Sequence, residues 1–161
     1  MSTTIRLENG QAFPNLNFNV VGKPDLSLPN DLSERWAVVL FYRGHWCPYC
    51  RQQLTGFQQH LEAFDAINTS IVALSVDPLE EAQKTVERHG LTFAVGYDAN
   101  AAAIAASTGA YINPQPNFLQ ATGFVLKPDG TIATAVYSSG AVGRLVAEDT
   151  LGLVKYLQSH S

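Results

Sequence analysis

Residues 36–54 read WAVVLFYRGHWCPYCRQQL, and a change of pattern inside this stretch decides the fold. Trp36–Tyr42 is an unbroken apolar run of strand length. Its lack of alternation implies burial on both faces, as in a central parallel strand. Beyond it, Leu54, Phe57, Leu61 and Phe64 return at helical spacing, with Gln52, Gln59 and Glu62 between them. Pro48 suits the first helical turn, where a missing N–H costs nothing. The spacing therefore predicts a helix from about Cys47–Pro48 to about Ala66. A buried strand ends and a helix starts at the same point, and two cysteines sit at that junction.

Downstream the alternation of strand and helix continues. Ser70–Val76 reads as a second buried strand. Asp77-Pro78-Leu79-Glu80 reads as a helix start, with Asp77 as N-cap, Pro78 at N1 and Glu80 at N3; the helix is expected to stop near His89-Gly90. Thr92–Gly96 suits a third strand, and Asn100–Thr108 an Ala-rich helix ended by Gly109. Residues 111–121 hold Pro114 and Pro116 and are expected to form a loop. Thr122–Leu126 and Thr131–Tyr137 suit strands joined by the turn Pro128-Asp129-Gly130, and Leu145–Leu157 an amphipathic helix. Upstream, residues 1–35 are rich in turns and suit an N-terminal extension packed on the core, with a strand or hairpin around Leu16–Val21. The order implies an α/β protein: a central mixed sheet flanked by helices, its core parallel and its last hairpin an antiparallel edge.

The rest of the chain bounds the function. It has 161 residues, 46% hydrophobic and 15% charged, which fits one domain over 1–161 and excludes disorder and coiled coil. A chain this long buries roughly 70% of its unfolded surface, so it needs no disulfide staples. A net charge of -4 argues against nucleic-acid binding, and no window suits a membrane-spanning helix. The start, MSTTIRLENG, lacks the basic and apolar regions of a signal peptide, so a cytoplasmic location is expected. In that compartment the two cysteines, Cys47 and Cys50 in one C-x-x-C, suggest redox work or a metal site.

The junction supplies what a reactive thiol needs. The first-turn N–H groups of a helix are unpaired and its dipole places partial positive charge there. Thiol pKa values at such points fall from about 8.5 to about 3.5–7.5. Spacing i, i+3 brings both sulfurs to one face within disulfide reach, and Arg43, Arg51 and a protonated His45 would add positive charge. Structural zinc needs four ligands, and His45, His60, His89 and His160 are too scattered to complete a site, so neither metal nor cofactor is expected. His60 and His89 read as surface or packing residues. Trp46 suits either a shield over the site or core filling.

FYRGHWCPYC resembles the W-C-x-x-C of thioredoxins, with a Cys-Pro-Tyr-Cys centre as in glutaredoxins. From about Ala12 to Leu157 the chain is most similar to peroxiredoxin-like proteins of the alkyl hydroperoxide reductase/thiol-specific antioxidant (AhpC/TSA) group. The residues that carry this are Phe13-Pro14, the strand end "FY", "ALSVDP" and "GFVLKPDGTI", in that order. The resemblance implies a thioredoxin-like, peroxiredoxin-type fold. It also implies a thiol-dependent antioxidant oxidoreductase that reduces hydroperoxides. Laying the peroxiredoxin pattern P-x-x-x-T/S-x-x-C on Cys50 makes Cys50 the peroxidatic cysteine. It puts Arg43 where the family has Pro and Cys47 where it has Thr or Ser. Gln53 falls where many relatives hold Glu or Gln. Gln120-Ala121-Thr122 stands where relatives place an Arg before a late strand, and Thr122 where thioredoxins carry a cis-proline. Arg43 and Arg144 are the candidates to replace that guanidinium. Cys47, the other cysteine in the chain, then resolves the Cys50 sulfenic acid as a disulfide, and a thioredoxin- or glutaredoxin-type donor reduces it. Relatives of this kind are commonly homodimers.

Two other readings stay open. Cys47, expected as the more exposed and N-terminal of the pair, is the nucleophile, with Cys50 resolving, if the protein is a thiol–disulfide oxidoreductase acting on protein disulfides. A redox-sensing interaction module is the non-enzyme alternative.

Overall fold

The computed structural model describes residues 6–160. Trp36–Phe41 forms β3 at the heart of a seven-stranded mixed sheet, and all six of its residues are buried. Its neighbours are β4 (Thr69–Leu74), parallel, and β8 (Thr122–Leu126), antiparallel. β4 pairs in parallel with β5 (Ala94–Tyr97), β5 antiparallel with β1 (Leu16–Val20), and β1 antiparallel with β2 (Lys23–Leu28). β9 (Ile132–Tyr137) closes the other edge against β8. The strand order is β2-β1-β5-β4-β3-β8-β9. The hairpin expected around Leu16–Val21 is thus β1 with β2, and it lies on the sheet.

The pleat of β3 divides the core in two. Ala37, Val39 and Phe41 face a cluster with Phe13, Leu16, Phe18 and Phe124. Helix α4 (Ala101–Thr108) adds Ala101 and Ile104 to it. Val38, Leu40 and Tyr42 face the opposite cluster. There α1 (Pro48–Gln59) brings Leu54 and Phe57, α2 (Leu61–Ala66) Phe64, and α5 (Ala147–Ser159) Val154. Burial on both faces is what the unalternating run WAVVLFY required.

Four expectations need correction. The helix expected from Cys47 to Ala66 breaks at His60, where the backbone turns to φ −103°, ψ 10°. The His60 ring Nδ1 lies 2.9 Å from the Gly56 carbonyl, the acceptor that its own amide shares. Phe57 and Phe64 stack across the break at 5.5 Å and keep both segments on the sheet. Residues 111–121 are not an irregular loop: β6 (Ile112–Pro114) and β7 (Asn117–Leu119) pair as a small hairpin, with both prolines at its turn, where a missing N–H costs little. Helix α5 starts at Ala147, two residues later than expected. Asp77 does not cap its own helix: α3 (Leu79–His89) starts after Pro78, which has no side-chain capping bond.

Candidate active site

β3 and β4 run in parallel and end together, with Phe41 opposite Leu74 and the Tyr42 amide still bonded to the Leu74 carbonyl at 3.1 Å. The chain then passes through Arg43-Gly44-His45-Trp46 and turns into α1 at Cys47. The Cys47 amide donates to the Gly44 carbonyl at 3.2 Å. Cys47 is the N-cap of α1, and Pro48 takes the first helical position as expected. The Cys47 Sγ accepts the Cys50 N–H at 3.3 Å, so a sulfur caps the helix in place of the usual oxygen. The Cys50 Sγ accepts the Arg43 N–H, also at 3.3 Å. Both cysteines are free thiols with no accessible surface, so Cys47 is not the more exposed of the two as expected: the turn before α1 and the side chains around it cover both sulfurs.

Two guanidiniums flank this pair. Arg43 places Nη1 3.9 Å from the Cys47 Sγ and donates from Nε to Gln120 Oε1 at 3.0 Å. Its guanidinium carbon lies 5.0 Å from the ring centres of both Trp46 and Phe118, so aromatic faces hold the cation. Arg144, in the loop before α5, donates to Gln53 Oε1 at 3.2 Å and to the Ala141 carbonyl at 2.6 Å. Gln53 is buried and donates in turn to the Leu145 carbonyl at 2.8 Å. Among the described residues neither arginine has a carboxylate partner, so both charges act on the sulfurs unneutralised.

These neighbours split the two thiols apart. Burial pushes Cys47 up, but the bonds from Cys50 and the Arg43 guanidinium, with the charge of Arg144, outweigh it and hold Cys47 below an ordinary thiol. Burial pushes Cys50 up, the bond to Cys47 adds to this, and Arg144 and the Arg43 amide offset only part. The pair shares its first negative charge with Cys47 as the site that keeps it.

The sequence candidates do not all converge. Arg43, Cys47, Cys50 and Gln53 lie together. Trp46 is 44% exposed and packs edge-on against Phe118 at 4.9 Å, so it shields Arg43 and does not fill the core. Thr122 starts β8 opposite Phe41 and gives its hydroxyl to the Gln120 carbonyl; it bonds to neither sulfur. The same register carries Gln120 to Arg43. A groove of about 360 Å³ adjoins the pair through Gln53 and Arg144, with Tyr49, Val142 and Val146 among its walls. No group of three or more His, Cys, Asp or Glu among the described residues is placed to hold a metal. No helix among them is long and apolar enough to cross a membrane.

Sequence reasoning missed one neighbour. The Asp77 carboxylate, expected at the start of α3, accepts the His45 N–H at 2.8 Å, and its other oxygen lies 3.5 Å from His45 Nδ1. His45 Nε2 lies 3.4 Å from Glu81 Oε2. No local sequence signal marks this reach, because it depends on β3 and β4 ending side by side.

Comparison with known proteins agrees with this geometry. Residues 9–135 match the AhpC/TSA family. Over 155 residues the chain is 30% identical to the peroxiredoxin of Chlorobaculum tepidum, covering 92% of this chain and 72% of that one. It is 27% identical over 158 residues to the peroxiredoxin of Thermotoga petrophila, covering 93% and 71%. Among solved structures, Enterococcus faecalis AhpC superposes with a TM-score of 0.81 at 19% identity, covering 96% of this chain and 93% of that one. Peroxidoxin BcpB from Mycobacterium tuberculosis gives 0.80 at 18% identity, covering 94% and 99%. The fold is thioredoxin-like and of the peroxiredoxin type.

Proposed function

This chain belongs to the AhpC/TSA family of thiol-dependent peroxidases, and from that premise we propose that Cys50 reduces the hydroperoxide and Cys47 resolves it. One observation carries the assignment: both sulfurs sit at the start of α1 as acceptors, Cys47 from the Cys50 N–H and Cys50 from the Arg43 N–H, with the Arg43 guanidinium 3.9 Å from Cys47 and paired to no carboxylate among the described residues. Cys47 occupies the place of a Thr or Ser in the family pattern, and as the pair's preferred thiolate it takes the Cys50 proton. The Cys50 thiolate attacks a peroxide oxygen. The O–O bond breaks, and the leaving alkoxide or hydroxide takes up the released proton. Cys50 is oxidised to the sulfenic acid while the peroxide becomes alcohol or water. Arg43 and Arg144 stabilise the charge that develops on the oxygens. The Cys47 thiolate then attacks the Cys50 sulfur, an S–S bond replaces the S–O bond, and the hydroxide that leaves takes a proton from solvent to become water. A thioredoxin- or glutaredoxin-type dithiol returns the pair to the reduced state. Because both sulfurs are covered, access requires side chains such as Arg43, Trp46 and Arg144 to shift.

A second reading has its own support. The charge rests on Cys47, the cap of α1, which is the arrangement for attack on a protein disulfide with Cys50 as the resolving thiol. Both routes end in the same disulfide. Rapid mixing of the reduced protein and of Cys47→Ser and Cys50→Ser variants with hydrogen peroxide, followed by mass spectrometry, separates them. The peroxidase reading expects a sulfenic acid on Cys50 in Cys47→Ser and oxidation far faster than that of free cysteine. Oxidation at the free-thiol rate, with active reduction of insulin disulfides, would replace it by the second reading. The same reading takes the whole chain as one domain, acting in the cytoplasm, with a homodimer as its assembly.

A further inference from the structure

Asp77 is the charged residue among the buried polar side chains of the described structure, at 5% exposure. Burying a carboxylate is costly unless donors surround it, so its surroundings show what it is for. Its backbone is fixed on both sides: the amide donates to Ser75 Oγ at 3.1 Å, and the carbonyl accepts the Asp98 amide at 2.8 Å. The carboxylate does not turn back to the amides of α3. It crosses to the adjacent junction and takes the His45 N–H.

We propose that Asp77 is a positioning residue for the cysteine pair: its carboxylate pins the His45 amide, and so holds the Gly44–Cys47 turn in which Cys47 caps α1. The proposal rests on the reading of Cys47 as the thiolate of the pair. Each residue of this turn has an anchor. Arg43 is held by Gln120 and two rings, Gly44 by the indole of Trp46, Trp46 by Phe118, and Cys47 by the Gly44 carbonyl. His45 is the remaining member, and its amide is held by Asp77 alone. An orphaned amide at this point would draw the turn toward water. The Cys47 sulfur would then move off the Cys50 N–H and away from the Arg43 guanidinium, the contacts that favour its charge.

The groups that face this carboxylate are His45, Glu81 and Tyr42. Glu81 is shared between the His45 ring and Lys84, whose Nζ lies 3.6 Å away. The Tyr42 hydroxyl is buried beside the Ser75 side chain. Burial pushes Tyr42 far above an ordinary phenol, the Ser75 hydroxyl pulls back only in part, and the nearby Asp77 and Cys50 charges push upward again. Tyr42 therefore stays a neutral phenol against the carboxylate and contributes no competing charge.

Iodoacetamide alkylation of Cys47 followed against pH tests the proposal, with a Cys50→Ser background so that one thiol is read. Asp77→Ala is expected to raise the Cys47 midpoint and, for a shift of about one pH unit, to cut alkylation near neutrality about tenfold. Asp77→Asn keeps an acceptor oxygen and is expected to stay within about twofold of the parent, a rescue that a charge effect would not give. His45→Ala keeps the amide and is expected to leave the midpoint in place. If Asp77→Ala fails to fold, Asp77→Thr replaces it, because its shorter hydroxyl does not reach the His45 amide. A folded Asp77→Ala or Asp77→Thr with the parent midpoint overturns the proposal, and so does an Asp77→Asn as impaired as Asp77→Ala. A parent protein whose Cys47 titrates like free cysteine overturns instead the reading of Cys47 as thiolate, so the two failures are distinct.

Discussion

The junctions after β3 and β4 begin from the same local formula and end differently. Each is a buried parallel strand, a short link, a residue with a polarizable or polar side chain, then proline and a helix: Cys47-Pro48 in one, Asp77-Pro78 in the other. At the first, Cys47 caps its own helix and Pro48 takes the first helical position. At the second, Pro78 itself is the N-cap and Asp77 leaves its helix to serve the neighbouring turn. On the proposed reading the first helix end is the chemical site and the second is its brace. A carboxylate is the stronger capping group in isolation, so propensity does not explain the choice. Tertiary placement does: with β3 and β4 in register, the unpaired His45 amide lies within reach of Asp77, and a buried orphan amide costs more than a missing cap on exposed turns.

The comparison breaks most sharply at Cys47. Cys47→Ser keeps an N-cap and removes a sulfur. Steady-state turnover of peroxide with a dithiol reductant is expected to be lost, while the unfolding free energy stays within about 0.5 kcal/mol or rises, because Ser is among the best caps. Loss of turnover together with a collapse of stability would mean that the sulfur serves structure first.

The next effect tests the turn between the junctions. A Cβ on Gly44 would overlap the Trp46 indole, lying 2.9 Å from its Cε2. Gly44→Ala is expected to expel Trp46 from Phe118, to redshift tryptophan emission, and to cost about 1–3 kcal/mol in denaturant unfolding. Unchanged emission would show that the indole does not lean on this glycine.

Smaller effects sharpen the contrast in capping. Cys47→Ala removes the acceptor of the Cys50 N–H and is expected to cost about 1 kcal/mol, with faster hydrogen exchange at that amide. Asp77→Ala is expected to leave exchange in the first turn of α3 unchanged, because no capping bond is lost there. Pro78→Ser would supply the absent cap at a backbone already suited to it, φ −69° and ψ 162°. It is expected to return about 0.5 kcal/mol, net of the chain entropy that proline removes from the unfolded state.

How far the sequence carried the reading follows from the same two places. WAVVLFY and the helical spacing of Leu54, Phe57, Leu61 and Phe64 are local patterns, and β3 and α1 follow them. The placing of both cysteines at the start of α1 was legible because Pro48 and the end of the apolar run mark one point in the chain. Sheet register brings Gln120 to Arg43 and Asp77 to His45, and the packing of the loop before α5 on α1 brings Arg144 to Gln53, across 77, 32 and 91 residues. Periodicity holds no information about such pairings. The break at His60 was hidden for a different reason: Leu61 and Phe64 keep the helical rhythm because they belong to the same buried face, although the backbone between them turns.

The smallest expected effect separates the brace from an ordinary salt bridge. Burial pushes the Asp77 carboxyl above the usual carboxylate range, the Glu81 charge adds to this, and His45 pulls back only in part. The folded state therefore binds this proton more tightly than the unfolded chain, whose value is near 3.9. Its contribution is fully present below about pH 3.9 and is lost as pH rises through the raised folded value, opposite to a carboxylate stabilised by a cation. Denaturant unfolding of the parent and of Asp77→Asn from pH 4 to 7 reads this as a difference. The parent is expected to lose stability relative to Asp77→Asn as pH rises across that window. A parent that gains relative to Asp77→Asn would mean that the donors around the carboxylate outweigh its burial cost, which would make the link a charge-stabilised pairing and not a buried acceptor held at the expense of its charge.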